Sequence, residues 1–211
     1  MNNSWDTEYK NMWDDRYKET EFVYGKEPNL FFKEWIQKYA PQTLLMPADG
    51  EGRNGVFAAQ LGWTVTSFDL SIEGKIKALE LAKDKQTSIN YIVCDFEQLH
   101  FDDLSFDAIG LVYAHFAAEK KSIFHNKLSG ILKTGGLIIL EAFSKKHIHL
   151  NSINPKVGGP KDIAMLYSKE EILLDFINYE ILYLEEEEID LNEGKFHIGK
   201  GSVIRFVAKK K

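Results

Sequence analysis

The chain has 211 residues, 44% hydrophobic and 27% charged, with a formal net charge of −6 and a single cysteine, Cys94. This is the composition of one globular domain with a substantial core; it excludes an intrachain disulfide and argues against a large nucleic-acid footprint, the basic end Lys209-Lys210-Lys211 reading as a solvated terminus. No charged-then-apolar leader opens the chain and no apolar run approaches a membrane span, so the expectation is a cytoplasmic protein with neither membrane nor nucleic acid as partner.

Trp5, Tyr9, Trp13 and Tyr17 recur at every fourth position and predict one aromatic stripe of a helix. The stretch Glu21-Phe22-Val23-Tyr24-Gly25-Lys26-Glu27-Pro28-Asn29 reads as a loop with a turn, and Asn29 is placed to cap a helix over residues 30–39. A segment of about forty residues ahead of the first strand is expected to cover a small-molecule site, where its ring faces can meet a sulfonium cation.

Leu44-Leu45-Met46 is a short apolar strand that ends at Pro47, and Gly50-Glu51-Gly52-Arg53-Asn54-Gly55 follows as a tight turn. A short helix over 56–61 is stopped by Gly62, and residues 64–68, β-branched and aromatic, form the second strand. Asp69 stands at that strand's end, nineteen positions after Gly50, placed to accept both hydroxyls of a ribose. Gly50, Gly52 and Gly55 satisfy G-x-G-x-x-G, in which glycines admit a ligand to the backbone and the helix N-terminus offers free N–H groups. The pattern fits a dinucleotide or S-adenosylmethionine equally well.

Ser71 is placed to cap a helix over 73–83. Residues 91–94 predict the third strand, with Cys94 as a small buried hydrophobe. Asp95 and Phe96 follow at once; an acid there can accept from an adenine amino group and a phenyl ring can pack on the base. Residues 106–113 form the fourth strand, running into Ala114-His115-Phe116, with a helix over 120–132 behind it. Lys133-Thr134-Gly135-Gly136 turns the chain into an apolar fifth strand over 137–142. Five alternations of strand and helix predict a parallel, doubly wound sheet whose ligands sit beyond the carboxyl ends of the strands.

Residues 144–167 read as a long polar loop containing Gly158-Gly159-Pro160-Lys161, and Ser168-Lys169-Glu170-Glu171 as a capping box opening a helix to about residue 178. Strands over 181–191 and 202–208 are joined so closely that they must be antiparallel. The acidic run Glu185 to Glu188 is expected to blunt a sheet edge. The fold class is therefore α/β: a Rossmann-like, doubly wound, seven-stranded sheet, mostly parallel with an antiparallel C-terminal hairpin. One domain spans 1–211, with 1–40 as an N-terminal helical lid and 41–211 as the core. No Cys/His cluster has ligand spacing, so no metal is expected.

The motifs Trp13-Asp14-Asp15-Arg16-Tyr17, the 21–29 stretch, Gly50-Glu51-Gly52-Arg53-Asn54, residues 65–71, Gly158-Gly159-Pro160-Lys161 and Glu193-Gly194-Lys195-Phe196-His197-Ile198-Gly199 span nearly the whole chain. Together and in this order they resemble the class I S-adenosylmethionine-dependent methyltransferases, and more narrowly the bacterial tellurite-resistance and thiopurine methyltransferase-like group. The resemblance implies S-adenosylmethionine as cofactor and a small-molecule acceptor, with a thiol or other chalcogen compound in view. It implies a cofactor site formed by Trp13, Tyr24, Asp49, Gly50, Gly52, Asn54, Asp69, Leu70, Ser71, Asp95, Phe96 and Ala114. The chain departs from the family pattern at Met46 and Ala48, where an acid and a first glycine are common, and Asp49 is expected to supply the missing acidity. Two histidines are candidate bases: His115 beyond the fourth strand and His197 in the hairpin connection, with Glu193 placed to orient the latter. A nicotinamide-dependent oxidoreductase and a non-catalytic cofactor-binding module are the alternatives. The first is weakened because no tyrosine is followed four places later by lysine.

Overall fold

The computed structural model describes residues 4–211, with side chains from residue 7 onward. Seven strands form one sheet: β1 (Thr43–Pro47), β2 (Thr64–Asp69), β3 (Asn90–Val93), β4 (Phe106–Val112), β5 (Leu132–Phe143), β6 (Tyr179–Glu193) and β7 (His197–Lys210). Their order is β3-β2-β1-β4-β5-β7-β6. The first five are parallel, and β7 is inserted antiparallel between β5 and β6. Since β6 pairs antiparallel with β7 as well, β6 points the same way as β1 to β5. This is the seven-stranded α/β plan expected from the sequence. The sheet places the ends of β1, β2, β3, β4 and β6, together with the start of β7, on one rim.

The helices are α1 (Ser4–Tyr17), α2 (Leu30–Ile36), α3 (Arg53–Gln60), α4 (Ile72–Asp84), α5 (Lys121–Ile131), α6 (His147–Ile153) and α7 (Lys169–Asp175). Local chemistry sets several starts. Asn29 accepts from the Phe32 N–H, Ser71 from Gly74, and Ser168 and Glu171 close a reciprocal capping box. Leu44, Leu45, Ile109, Ile138 and Ile139 are fully buried, as strands covered on both faces require. Each side chain of that size contributes about 1.5–3 kcal/mol by leaving water.

Some expected boundaries are corrected. Helix α3 begins at Arg53, inside the glycine turn, because Gly52 takes φ 81° and starts the helix itself. Residues 144–167 are not a featureless loop: they hold α6 and two short 3-10 turns, Pro155–Val157 and Ile163–Met165. The β6–β7 hairpin is far longer than the apolar pattern indicated, because its outer half pairs charged residues along an edge where alternation is invisible. Its connection is reduced to residues 194–196, and Glu193 and His197 form its last paired rung. The acidic run lies on β6, the edge strand, and Glu185, Glu186 and Glu187 are ion-paired with Lys169, Lys146 and Arg205. No helix among the described residues is long and apolar enough to cross a membrane.

Candidate active site

Beyond the rim lies a cavity of about 540 Å³. It is bounded by the glycine turn, the ends of β2, β3 and β4, the start of β7, the 159–165 segment and helix α1. Trp13, Tyr24, Asp49, Gly50, Asn54, Asp69, Leu70, Asp95, Phe96, His115 and His197 all border it. Gly52, Ser71 and Ala114, expected at the cofactor, do not. A Cβ at Gly52 would meet Ala78 Cβ at 2.5 Å, so this glycine serves the packing of α3 on α4. Ser71 is spent on its cap and on a 2.6 Å hydrogen bond to Asp14 Oδ1, and the Ala114 carbonyl accepts from the Tyr167 hydroxyl.

The turn is held open for a ligand by several buried contacts. Asp69 Oδ2 accepts from the Gly50 N–H at 3.0 Å and Oδ1 from Ser71 at 3.0 Å, which fixes the carboxylate at the end of β2. Burial raises its pKa to about 6 against the pull of those backbone donors. The Gly50 carbonyl accepts from Tyr91 Oη at 2.5 Å, and a Cβ at Gly50 would lie 2.6 Å from the Tyr17 hydroxyl. Ala48, in the place of a common glycine, takes the left-handed φ of 52° that glycine adopts freely, so the turn keeps its shape at a local cost of about 1–3 kcal/mol.

Asp49 corrects an expectation. Its carboxyl turns beneath the turn, where Oδ2 accepts from Ser67 Oγ at 2.7 Å and Oδ1 is buried without a partner. Burial raises its pKa to about 7, opposed by the Ser67 bond. A Cβ at Gly55 would meet Asp49 Oδ2 at 2.4 Å, so the third glycine of the motif makes room for this acid rather than for a nucleotide. Met46 is buried against Phe32 and Gly110 and offers nothing to the cavity.

Asp95 caps the 3-10 turn Phe96–Gln98, and Phe96 packs on Phe68, Phe116 and Phe124 while bordering the cavity. Together with Cys94 they form a partly apolar wall beside Asp69. Carboxylate, turn and wall fit the ribose and base of S-adenosylmethionine.

The two histidines differ. His115 Nδ1 meets the Met165 carbonyl at 3.1 Å and Nε2 accepts from the Phe143 N–H at 3.2 Å, so both ring nitrogens are consumed by backbone. Burial drives its pKa down to about 3. His115 fastens the 163–165 turn to β5, and its Nε2 lone pair is engaged by the Phe143 N–H although the ring borders the cavity. His197 is 4% exposed, boxed by Tyr24, Tyr113 and Phe143 at centroid distances of 4.7, 4.5 and 5.3 Å. Its Nδ1 lies 2.9 Å from Glu193 Oε2, and Nε2 has no hydrogen bond among the described residues. Burial lowers the His197 pKa while Glu193 opposes it. Burial would raise Glu193, but His197 and Arg53 outweigh it and hold its pKa at about 2.

Several residues at the site were not singled out from the sequence. Glu51 accepts from the Val23 and Tyr24 N–H groups and from Lys77 Nζ at 2.9 Å, clamping the N-terminal segment to the glycine turn. Arg53 pairs with Glu193 at 2.9 Å. Asn29 Nδ2 donates to Glu141 at 2.6 Å and to Glu193 at 3.3 Å, and its N–H donates to Asn54 Oδ1 at 2.9 Å. Glu141, wholly buried, also accepts from Tyr113 Oη and Arg205 Nε. Tyr113 takes φ 52° just after β4, a strained placement that brings its ring onto His197. An acid inside the apolar run of β5 was the one legible signal for this network.

Residues 45–140 match the family model described as a methyltransferase domain. No curated protein matches the chain. Among solved structures, one described as "Conversion of a Disulfide Bond into a Thioacetal Group during Echinomycin Biosynthesis" overlays with a TM-score of 0.75 at 15% identity, covering 96% of this chain and 92% of that one. TehB from Haemophilus influenzae overlays at 0.69 and 16% identity, covering 96% and 67%. A SAM-dependent methyltransferase from Methanosarcina mazei overlays at 0.62 and 20% identity, covering 83% and 96%. Residues 45–140 are thus similar to a methyltransferase domain, the whole chain shares its fold with these solved structures, and S-adenosylmethionine is the cofactor that goes with such a domain.

Proposed function

We propose that the chain, as one domain whose N-terminal segment, described from residue 4 to residue 40, folds over a core of 41–211, transfers a methyl group from S-adenosylmethionine to a small-molecule acceptor. A thiol or other chalcogen compound is the favoured acceptor, in keeping with the tellurite-resistance and thiopurine-type group that the sequence motifs resemble. The observation that carries the reading is a single cavity bordered both by Asp69 at the end of β2 and by a histidine with a free ring nitrogen, His197. The overlay with TehB and with a structure named for chemistry at sulfur supports the same choice of acceptor.

Bound S-adenosylmethionine supplies a methyl carbon activated by its sulfonium. Asp69 would accept from the ribose hydroxyls, Asp95 and Phe96 would lie beside the base, and Trp13 and Tyr24 would close the aromatic side. Orienting an acceptor against that carbon removes about 7–11 kcal/mol of barrier through lost freedom already accounted for in binding. His197 Nε2 takes the acceptor proton. Glu193 holds the ring in the Nδ1–H tautomer and stabilises the cation that forms.

Calorimetric titration with S-adenosylmethionine, S-adenosylhomocysteine and NAD tests the cofactor, with binding expected for the first two alone. A screen of small acceptors with methyl-labelled cofactor tests the transfer, thiols being expected to take label. Label appearing only in nucleic acid or protein would sink the small-molecule assignment.

A further inference from the structure

The cations around the cavity fall into two groups. Arg53 is paired with Glu193 at 2.9 Å and Lys120 with Glu97 at 2.8 Å. Arg16 is different. It borders the cavity from α1, half-buried, and its one hydrogen bond runs from NH1 to Tyr24 Oη at 2.9 Å. Its guanidinium lies over the Trp13 ring at 4.7 Å and the Phe196 ring at 5.1 Å. No carboxylate among the described residues pairs with it. A guanidinium carries five N–H donors in a rigid fork, so most of its capacity is unspent while two aromatic faces hold it flat.

The position of that fork narrows what it receives. Phe196, against which it lies, adjoins His197, and Tyr24, to which it donates, packs on the His197 ring. Arg16 thus borders the cavity beside the Tyr24 and Phe196 rings that flank His197. Lys161, exposed on the cavity border within Gly158-Gly159-Pro160-Lys161, adds a second cation with no carboxylate partner among the described residues. The bound cofactor brings a net positive charge, its ammonium and sulfonium outnumbering its one carboxylate. A neutral or cationic acceptor would leave Arg16 unbalanced in a low-dielectric pocket, and an anion compensates it.

We propose that the acceptor carries an acidic group, and that Arg16 grips that group and so selects anionic over neutral acceptors. This rests on the methyltransferase reading above. The test is a charge series of small thiols, mercaptoacetate, 2-mercaptoethanol and cysteamine, titrated calorimetrically into the protein saturated with S-adenosylhomocysteine. Wild type is expected to bind mercaptoacetate about tenfold or more tighter than the other two, the scale of a charge-assisted bond. Arg16→Gln is expected to abolish that preference with S-adenosylhomocysteine affinity unchanged, and Arg16→Lys, which keeps the charge but not the fork, to retain part of it. Equal binding of the three thiols, or of none, overturns the proposal. Loss of S-adenosylhomocysteine affinity in Arg16→Gln also overturns it, because Arg16 would then serve the cofactor's own carboxylate. Failure of wild type to bind S-adenosylhomocysteine is a different result, and defeats the methyltransferase reading itself.

Discussion

The role proposed for Asp69, accepting from two ribose hydroxyls, requires an ionised carboxylate, and Asp69 is a buried acid with its pKa raised to about 6. Affinity for S-adenosylhomocysteine is therefore expected to rise as the pH climbs through about 6 and to level off above it. In Asp69→Asn it should fall by about 1.5–3 kcal/mol and lose its pH dependence, which titration calorimetry at several pH values would measure. Asp49 has the same sign of shift and a different consequence. A pKa raised in the folded state to about 7 means that the fold takes up a proton, so this contribution to stability is complete below the unfolded value and lost as pH rises through 7. The melting temperature of the free protein should drop more between about pH 6 and pH 8 in wild type than in Asp49→Asn. A parallel pair of curves would show that Asp49 does not titrate there. At His197, replacement by alanine should lower methyl transfer by about 10²-fold or more while leaving cofactor affinity intact, and Glu193→Gln should lower it by less. Equal turnover in His197→Ala on a turned-over acceptor would remove the base from the mechanism.

The elements that bring these residues together are α1 and the 18–29 loop on one side and the β6–β7 hairpin on the other. Asp14 accepts from Ser71 and Ile72 at the start of α4, Glu51 holds the amides of Val23 and Tyr24, and the Val23 carbonyl accepts from Lys195 in the hairpin turn. Hydrogen exchange over residues 13–24 is expected to slow when S-adenosylhomocysteine binds, since this segment closes one side of the cavity. Glu51→Ala should release the Val23 and Tyr24 amides and leave Lys77 buried with the Glu21 carbonyl but no carboxylate to balance its charge, at a cost of about 3–5 kcal/mol. Adding Lys77→Met should restore part of the stability and none of the amide protection; protection regained in the double variant would mean that Glu51 is not the clamp. Much of this level was legible. The aromatic spacing from Tyr9 to Tyr17, the Asn29 cap, the alternation of strand and helix and the capping box at Ser168 are local signals, and local chemistry decided them. What was not legible depends on partners far apart in the chain. Glu51 and Asn29 stood inside recognised motifs, but their roles are set by the Val23 amide, Lys77, Glu141 and Glu193. The sequence favours His197 over His115 only by its place after a parallel sixth strand, and which ring nitrogens are taken is visible only in the structure. Asp49 looked like a ligand-facing acid because the direction of its side chain depends on Ser67 and the gap at Gly55.

At the scale of the molecule, the sheet, the rim and the covering segment enclose one site, so ligand binding should be read by the whole fold. Cofactor product at about a hundred times its dissociation constant should stabilise the protein by about 2.7 kcal/mol, seen as a rise in melting temperature that NAD does not produce. The reversed direction of β7 has a practical consequence as well. Its first residue, His197, lies on the cavity rim, and its last, Lys210, pairs with Tyr179, where β6 begins. The exposed Lys211 therefore lies on the opposite end of the sheet from the cavity. A fluorophore or surface tether attached there would stand clear of the pocket mouth, and an immobilised layer of the protein would present its binding sites outward to flowing ligand.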